Sequence, residues 1–176
     1  ERLTLTRVDF IEGDIRNTKL LDDIFSRYDI DAVVHFAGLK SVEESGRKPL
    51  DYYANNVVGT LNLCHAMARH EVFKLVFSSS ATVYGTPRQI PIIEDLGTGK
   101  PISPYGRTKL MTEELLTDLC LSDPRWNIAL LRYFNPIGAH ESGLIGENPN
   151  GRPNNLLPCL TQVAMGRVPE LTVFGS

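Results

Sequence analysis

Ala32-Val33-Val34-His35-Phe36-Ala37 is near-continuously apolar, the texture of a parallel strand buried on both faces. Before it, Thr18 begins a helical pattern through Leu20, Leu21, Ile24 and Phe25. After it, Pro49 opens a longer one through Leu61, Leu63, Ala66 and Met67. Lys74-Leu75-Val76-Phe77 then reads as a second strand, and Ile128-Ala129-Leu130-Leu131 as another. Between these two, Pro104 opens a helix carried by Leu110, Leu115, Leu116 and Leu119. Upstream, Val8-Asp9-Phe10-Ile11 alternates briefly and reads as a strand leaving through Glu12-Gly13-Asp14-Ile15. Strands alternating with helices predict an α/β chain with a doubly wound parallel sheet. Beyond Asn135 the texture changes. Glycines and prolines crowd the stretch from Pro136 to Pro158, one helix-like run spans Leu156 to Gly166, and an apolar Leu171-Thr172-Val173-Phe174 lies near the end.

Composition narrows the class. An apolar share of 42% and a charged share of 22% over 176 residues describe an ordinary globular chain, one domain or one domain and the beginning of another. A net charge of −3 gives no reason to expect nucleic acid or an anionic membrane as partner. No apolar run approaches the ~20 residues of a membrane span. Cys64, Cys120 and Cys159 are odd in number and widely spaced, which fits small apolar residues in a reducing cytoplasm. No metal site is expected of them.

The chemistry gathers at Ser78-Ser79-Ser80 and Ser103-Pro104-Tyr105-Gly106-Arg107-Thr108-Lys109. The serines end a strand, where open α/β sheets place their ligands. Pro104 suits a first helical turn, and Tyr105 and Lys109 are then neighbours on one helix face. A free phenol titrates near ~10 and makes a poor base at neutral pH. A fixed cation beside it favours the phenolate, at roughly 4 kcal/mol of differential stabilisation for neutrality. A lone Tyr-x-x-x-Lys is more often two exposed neighbours; the strand-end hydroxyls set this one apart.

Strand-end Ser with helical Tyr and Lys resembles the proton-transfer set of the short-chain dehydrogenase/reductases. The likeness extends through His35-Phe36-Ala37-Gly38-Leu39-Lys40, Phe77 to Gly85, Pro104-Tyr105-Gly106 and Leu131-Arg132-Tyr133-Phe134-Asn135-Pro136. Together these stretches are similar to the UDP-glucose 4-epimerase family, over essentially the whole chain. That resemblance implies reversible inversion at carbon 4 of UDP-glucose and UDP-galactose with NAD as cofactor, through a 4-keto sugar. It implies Tyr105 as base, Ser80 as its hydrogen-bonding partner and Lys109 as the cation that holds both phenol and nicotinamide ribose. Asp14, Ile15, Phe36, Lys40 and Tyr133 would join Tyr105 and Lys109 around NAD. Ser80, Ala81, Thr82, Tyr133, Phe134, Asn135, Asn154, Asn155, Leu156, Thr172, Val173 and Phe174 would line the UDP-hexose. Several of these have plainer alternatives: Asp14 as a turn residue, Tyr133 as a core plug, Asn154 or Asn155 as a helix cap. His35 reads as a satisfied core histidine. Asn56 reads either as a solvent-facing amide or as a group near the nicotinamide. Ala81 and Thr82 stand where related dehydratases carry an Asp-Glu pair, and neither can expel water. A homodimer is also implied.

No Gly-x-Gly-x-x-Gly follows a strand here, whereas a Rossmann site opens with one. The expectation is therefore an internal piece of a longer enzyme. Residues 1–135 are a partial NAD-binding Rossmann-like domain, and 136–176 the start of a UDP-sugar region. In the strand order 3-2-1-4-5-6, Val8–Ile11 becomes strand 3 and Ala32–Phe36 strand 4, with a gap of ~14 Å between them. Such a piece alone is expected to bind dinucleotide poorly and to be inactive. Two further readings stay open: an NAD-dependent epimerase of UDP-uronates or UDP-pentoses, and a non-catalytic NAD-binding fragment.

Overall fold

The structure, a computed structural model, describes residues 8–147, 153 and 155–173. Asn154 and Phe174, both expected at the sugar nucleotide, lie outside the described residues. In chain order come α1 (Thr18–Arg27), β1 (Val33–His35), α2 (Val42–Arg47) and α3 (Pro49–Tyr52), then a π-helical stretch (Tyr53–Val58) running into α4 (Gly59–Arg69). Next are β2 (Lys74–Ser80), a 3-10 turn (Ala81–Tyr84), α5 (Pro104–Ser122), β3 (Asn127–Tyr133) and α6 (Leu156–Ala164). The strands form a parallel sheet in the order β1-β2-β3, with Val33, Val34 and His35 opposite Leu75, Val76 and Phe77. This is part of a Rossmann-like doubly wound fold.

Local chemistry sets the helix starts. Asn17 caps α1 by accepting from Leu20 N at 3.1 Å, and Leu21 and Phe25, one turn apart, bury its inner face. Ser103 caps α5 by accepting from Gly106 N at 3.1 Å, with Pro104 in the first turn. The core lies on the β2 face that carries Leu75 and Phe77, against Leu63, Ala66 and Met67 of α4 and Leu116 of α5. Period-two alternation puts Ser79 on that same buried face, and sends Ser78 and Ser80 to the other.

Three expectations are corrected. Val8–Ile11 is not a strand, and Val8 and Phe10 are exposed. A strand exists only through a ladder partner, and among the described residues none pairs with this stretch. β1 is only three residues long, and Val34 keeps 59% of its surface. The helices of the core cover the opposite face of the sheet, so this strand is not buried on both sides. Of the cysteines, Cys64 is buried as expected, while Cys120 and Cys159 are only partly covered; all three are free.

The chain divides into two compact units between Arg132 and Tyr133. In the second, Asn155 stands at the N-cap position of α6, but its side chain forms no cap hydrogen bond. Its amide donates instead to Glu147 Oε1 at 3.2 Å.

Candidate active site

The carboxyl end of β2 and the first turns of α5 meet at Lys109. This residue is 7% exposed, and its ammonium donates to Ser78 O at 2.7 Å and lies 4.8 Å from the centre of the Phe77 ring. The Tyr105 ring, one turn earlier on the same face, is 5.9 Å from Nζ. Burial pulls the Lys109 ammonium down to about 8. No described carboxylate pairs with it. The result is a buried cation with one neutral acceptor and donors to spare.

Ser80 ends β2 and caps the 3-10 turn, accepting from Thr82 N at 3.3 Å and Thr82 Oγ1 at 3.0 Å. That turn carries Ala81 and Thr82 against the start of α5. A methyl group on Gly106 would sit 3.3 Å from Thr82 Cβ and 2.9 Å from Pro101 Cβ. Only a residue without Cβ lets helix and turn approach this closely. Ser80, Ala81, Thr82, Tyr105 and Lys109 are thus carried by three elements that pack together.

Asn56 corrects the solvent-facing alternative. It is buried, and its amide donates to Leu39 O at 3.0 Å and Thr108 Oγ1 at 3.1 Å, while Oδ1 accepts from Leu39 N at 2.8 Å. Both amide protons are thereby engaged within the chain. The loop after β1 is held to the helix at Asn56, and further on Ser41 N donates to the buried Tyr52 Oη at 2.9 Å. A β-carbon on Gly38 in this loop would lie 3.7 Å from Lys109 Nζ. The π-helical stretch that carries Asn56 is a feature often met at functional sites.

His35 is the satisfied core histidine read from the sequence, with Nε2 at 2.8 Å from Thr60 Oγ1. Thr60 spends its own proton on Asn56 O at 2.6 Å, so Nε2 carries the hydrogen in that contact. Burial, helped by the Lys109 charge, drops His35 to about 4 and keeps it neutral.

The remaining expected residues are placed as follows. Asp14 makes the turn of its plainer alternative, accepting from Arg16 N at 2.8 Å and pairing with the Arg16 guanidinium. Those bonds hold its carboxyl down at about 2. Ile15 packs its Cδ1 onto Gly59 of α4. Phe36 and Lys40 are exposed on the loop after β1. In the second unit, Tyr133 is at the edge of exposure, and Phe134, Asn135, Leu156, Thr172 and Val173 are exposed.

Sequence reasoning passed over Glu113. It is buried on α5 one turn beyond Lys109, accepts from Ser79 Oγ, and is bridged by both Nε and Nη2 of Arg132 at 2.8–3.2 Å. Arg132 in turn lies over the Tyr84 ring at 4.8 Å. The signal was an acidic residue four positions after Lys109 on a helix face otherwise turned to the core.

Comparison with known proteins follows the same lines. The sequence pattern of the NAD dependent epimerase/dehydratase family matches residues 1–176. A UDP-glucose 4-epimerase of Neisseria gonorrhoeae is 57% identical over 174 residues, which are 99% of this chain and 52% of that protein. One from Dictyostelium discoideum is 56% identical over 179 residues, covering 100% of this chain and 51% of its own length. The crystal structure of the Bifidobacterium longum UDP-glucose 4-epimerase, in complex with NAD+ and UDP, superposes with a TM-score of 0.95 at 50% identity. It is covered over 52% of its length by 99% of this chain. The chain spans about half the length of the curated relatives it matches. Among the described residues, no helix is long and apolar enough to cross a membrane.

Proposed function

The chain belongs to the NAD dependent epimerase/dehydratase family, and from that premise we propose that the protein containing it interconverts UDP-glucose and UDP-galactose with bound NAD. The observation that carries the reading is the buried Lys109 ammonium, paired with a backbone carbonyl alone and set one helical turn from Tyr105. A cation with free donors and no carboxylate suits an oxygen-rich partner such as the vicinal hydroxyls of a nicotinamide ribose. The donor set of this site therefore fits the cofactor. Asp14, Ile15, Phe36, Lys40 and Tyr133 are assigned to the same cofactor on the resemblance. NAD supplies hydride acceptance and return at carbon 4, with a 4-keto sugar between the two.

The chain's own residues handle the proton. Tyr105 Oη takes it from the 4-hydroxyl, with Ser80 Oγ bonded to the same oxygen as relay. Lys109 supplies positive charge to the phenol oxygen and orients the ribose. Ala81 and Thr82 flank the sugar and carry neither acid nor base, so water is not expelled. The sugar must turn over between the two half-reactions. Binding energy is accordingly assigned to uridine and diphosphate, and Tyr133, Phe134, Asn135, Asn154, Asn155, Leu156, Thr172, Val173 and Phe174 are assigned to the UDP-hexose on the resemblance. Residues 1–135 are the dinucleotide part of this proposal and 136–176 the beginning of the sugar-nucleotide part. A cytoplasmic homodimer completes it.

The test is a panel of UDP-sugars offered to the full-length protein, with product read by chromatography. UDP-glucose and UDP-galactose are expected to interconvert faster than UDP-uronates or UDP-pentoses. Preference for a uronate or pentose would replace the substrate assignment. No turnover on any of them, with NAD bound, would make the chain part of a non-catalytic module.

A further inference from the structure

Lysine and glutamate four apart on a helix ordinarily pair, and this chain does so elsewhere: Glu43 with Arg47 at 3.2 Å and Glu44 with Lys48 at 3.3 Å on and beside α2. Lys109 and Glu113 have the same spacing in the reverse order, the weaker of the two on an exposed helix, but they share one face of α5 and are both buried. Burial strengthens the attraction between opposite charges, so this pair too has reason to close. It stays open. Both Glu113 oxygens are occupied, by the guanidinium of Arg132 from β3 and by Ser79 Oγ from β2. Lys109 turns to Ser78 O instead. The bidentate fork is the geometry that holds a carboxylate most firmly.

We propose that Arg132 is a positioning residue which, by holding the Glu113 carboxylate, keeps the Lys109 ammonium without an anionic partner and its remaining donors available to a bound ligand. The other titratable groups facing Lys109 are Tyr105 on α5, at 5.9 Å from its ring, and His35 on β1, which is neutral. Neither is a carboxylate. Burial lowers the proton affinity of Lys109, and the Glu113 oxygens are taken by Arg132 and Ser79. Freed of Arg132, Glu113 would swing to the nearest cation on its own helix face, and Lys109 would lose its free donors. The use made of those donors rests on the epimerase reading; the state of the ammonium does not.

The experiment is an NMR titration of lysine 13Cε resonances in the full-length protein, with the Lys109 signal assigned by its loss in Lys109→Met. All variants are compared in the same cofactor state. Arg132→Met is expected to raise the Lys109 midpoint by at least about one pH unit, and Arg132→Met with Glu113→Met to return it to the parent value. Glu113→Gln keeps the side-chain shape and is expected to leave the midpoint within about 0.3 pH units. An unchanged midpoint in Arg132→Met, or no return in the double variant, overturns the proposal. Should Arg132→Met not fold, Glu113→Gln decides alone. A fall of about one pH unit there would show that the carboxylate already supports the ammonium, and would overturn it equally.

Discussion

Replacing Tyr105 with Phe in the full-length protein is expected to cut epimerisation by about 10²- to 10⁴-fold, the usual worth of a positioned acid–base group. NAD content and the KM for UDP-glucose should stay within about threefold, because the ring and its packing remain and only the hydroxyl is lost. Tyr105 is partly buried on the first turn of α5, and its helix keeps the Ser103 cap and the Lys109 contact to Ser78 in the variant. Steady-state kinetics and cofactor absorbance check both halves. Near-normal turnover would remove Tyr105 from the proton step. A parallel loss of NAD would turn its role into one of binding.

Lys109→Met should act in opposite directions on stability and on function. In the folded chain the ammonium gives up its proton at about 8, against an ordinary 10.5. Between those values the unfolded state holds the extra proton, so stability rises with pH across that window, and the whole cost of the buried charge stands below about 8. That cost is roughly 3 kcal/mol, and the lost charge-assisted hydrogen bond to Ser78 O offsets at least about 1.5 kcal/mol of what the substitution gains. The cofactor-free full-length variant should therefore unfold later than the parent in denaturant at pH 7. The advantage should fade as pH climbs through 8 towards 10.5, and turnover should fall by about 10² or more. Equal stability at pH 7, or an advantage that grows with pH, would contradict a buried and uncompensated cation.

Much of the fold was legible because its signals are local. Thr18, Pro49 and Pro104 mark helix starts in the sequence, and the structure begins helices at those residues. The apolar runs at Val33 and Leu75 announce strands that do pair. What failed to show was relational. Val8–Ile11 alternates as a strand does, yet alternation cannot provide a ladder partner. The π-helical stretch at Tyr53–Val58 leaves no mark on helical periodicity, since apolar residues on either side keep helical spacing. Within the site, Tyr105, Lys109 and Ser80 could be picked out because their residue types carry recognisable chemistry. Glu113 and Asn56 could not, because each acts through partners that are distant in sequence: Ser79 and Arg132 for one, Leu39 and Thr108 for the other. A buried polar residue becomes readable only once the groups that satisfy it are known.

The most direct measurement is a crystal structure of the full-length protein with NAD and a UDP-hexose bound. The sugar's 4-hydroxyl oxygen is expected within about 3 Å of both Tyr105 Oη and Ser80 Oγ, with Lys109 Nζ at a similar distance from the nicotinamide ribose. A bound sugar whose carbon 4 faces neither oxygen, or a ribose out of reach of Lys109, would contradict the account.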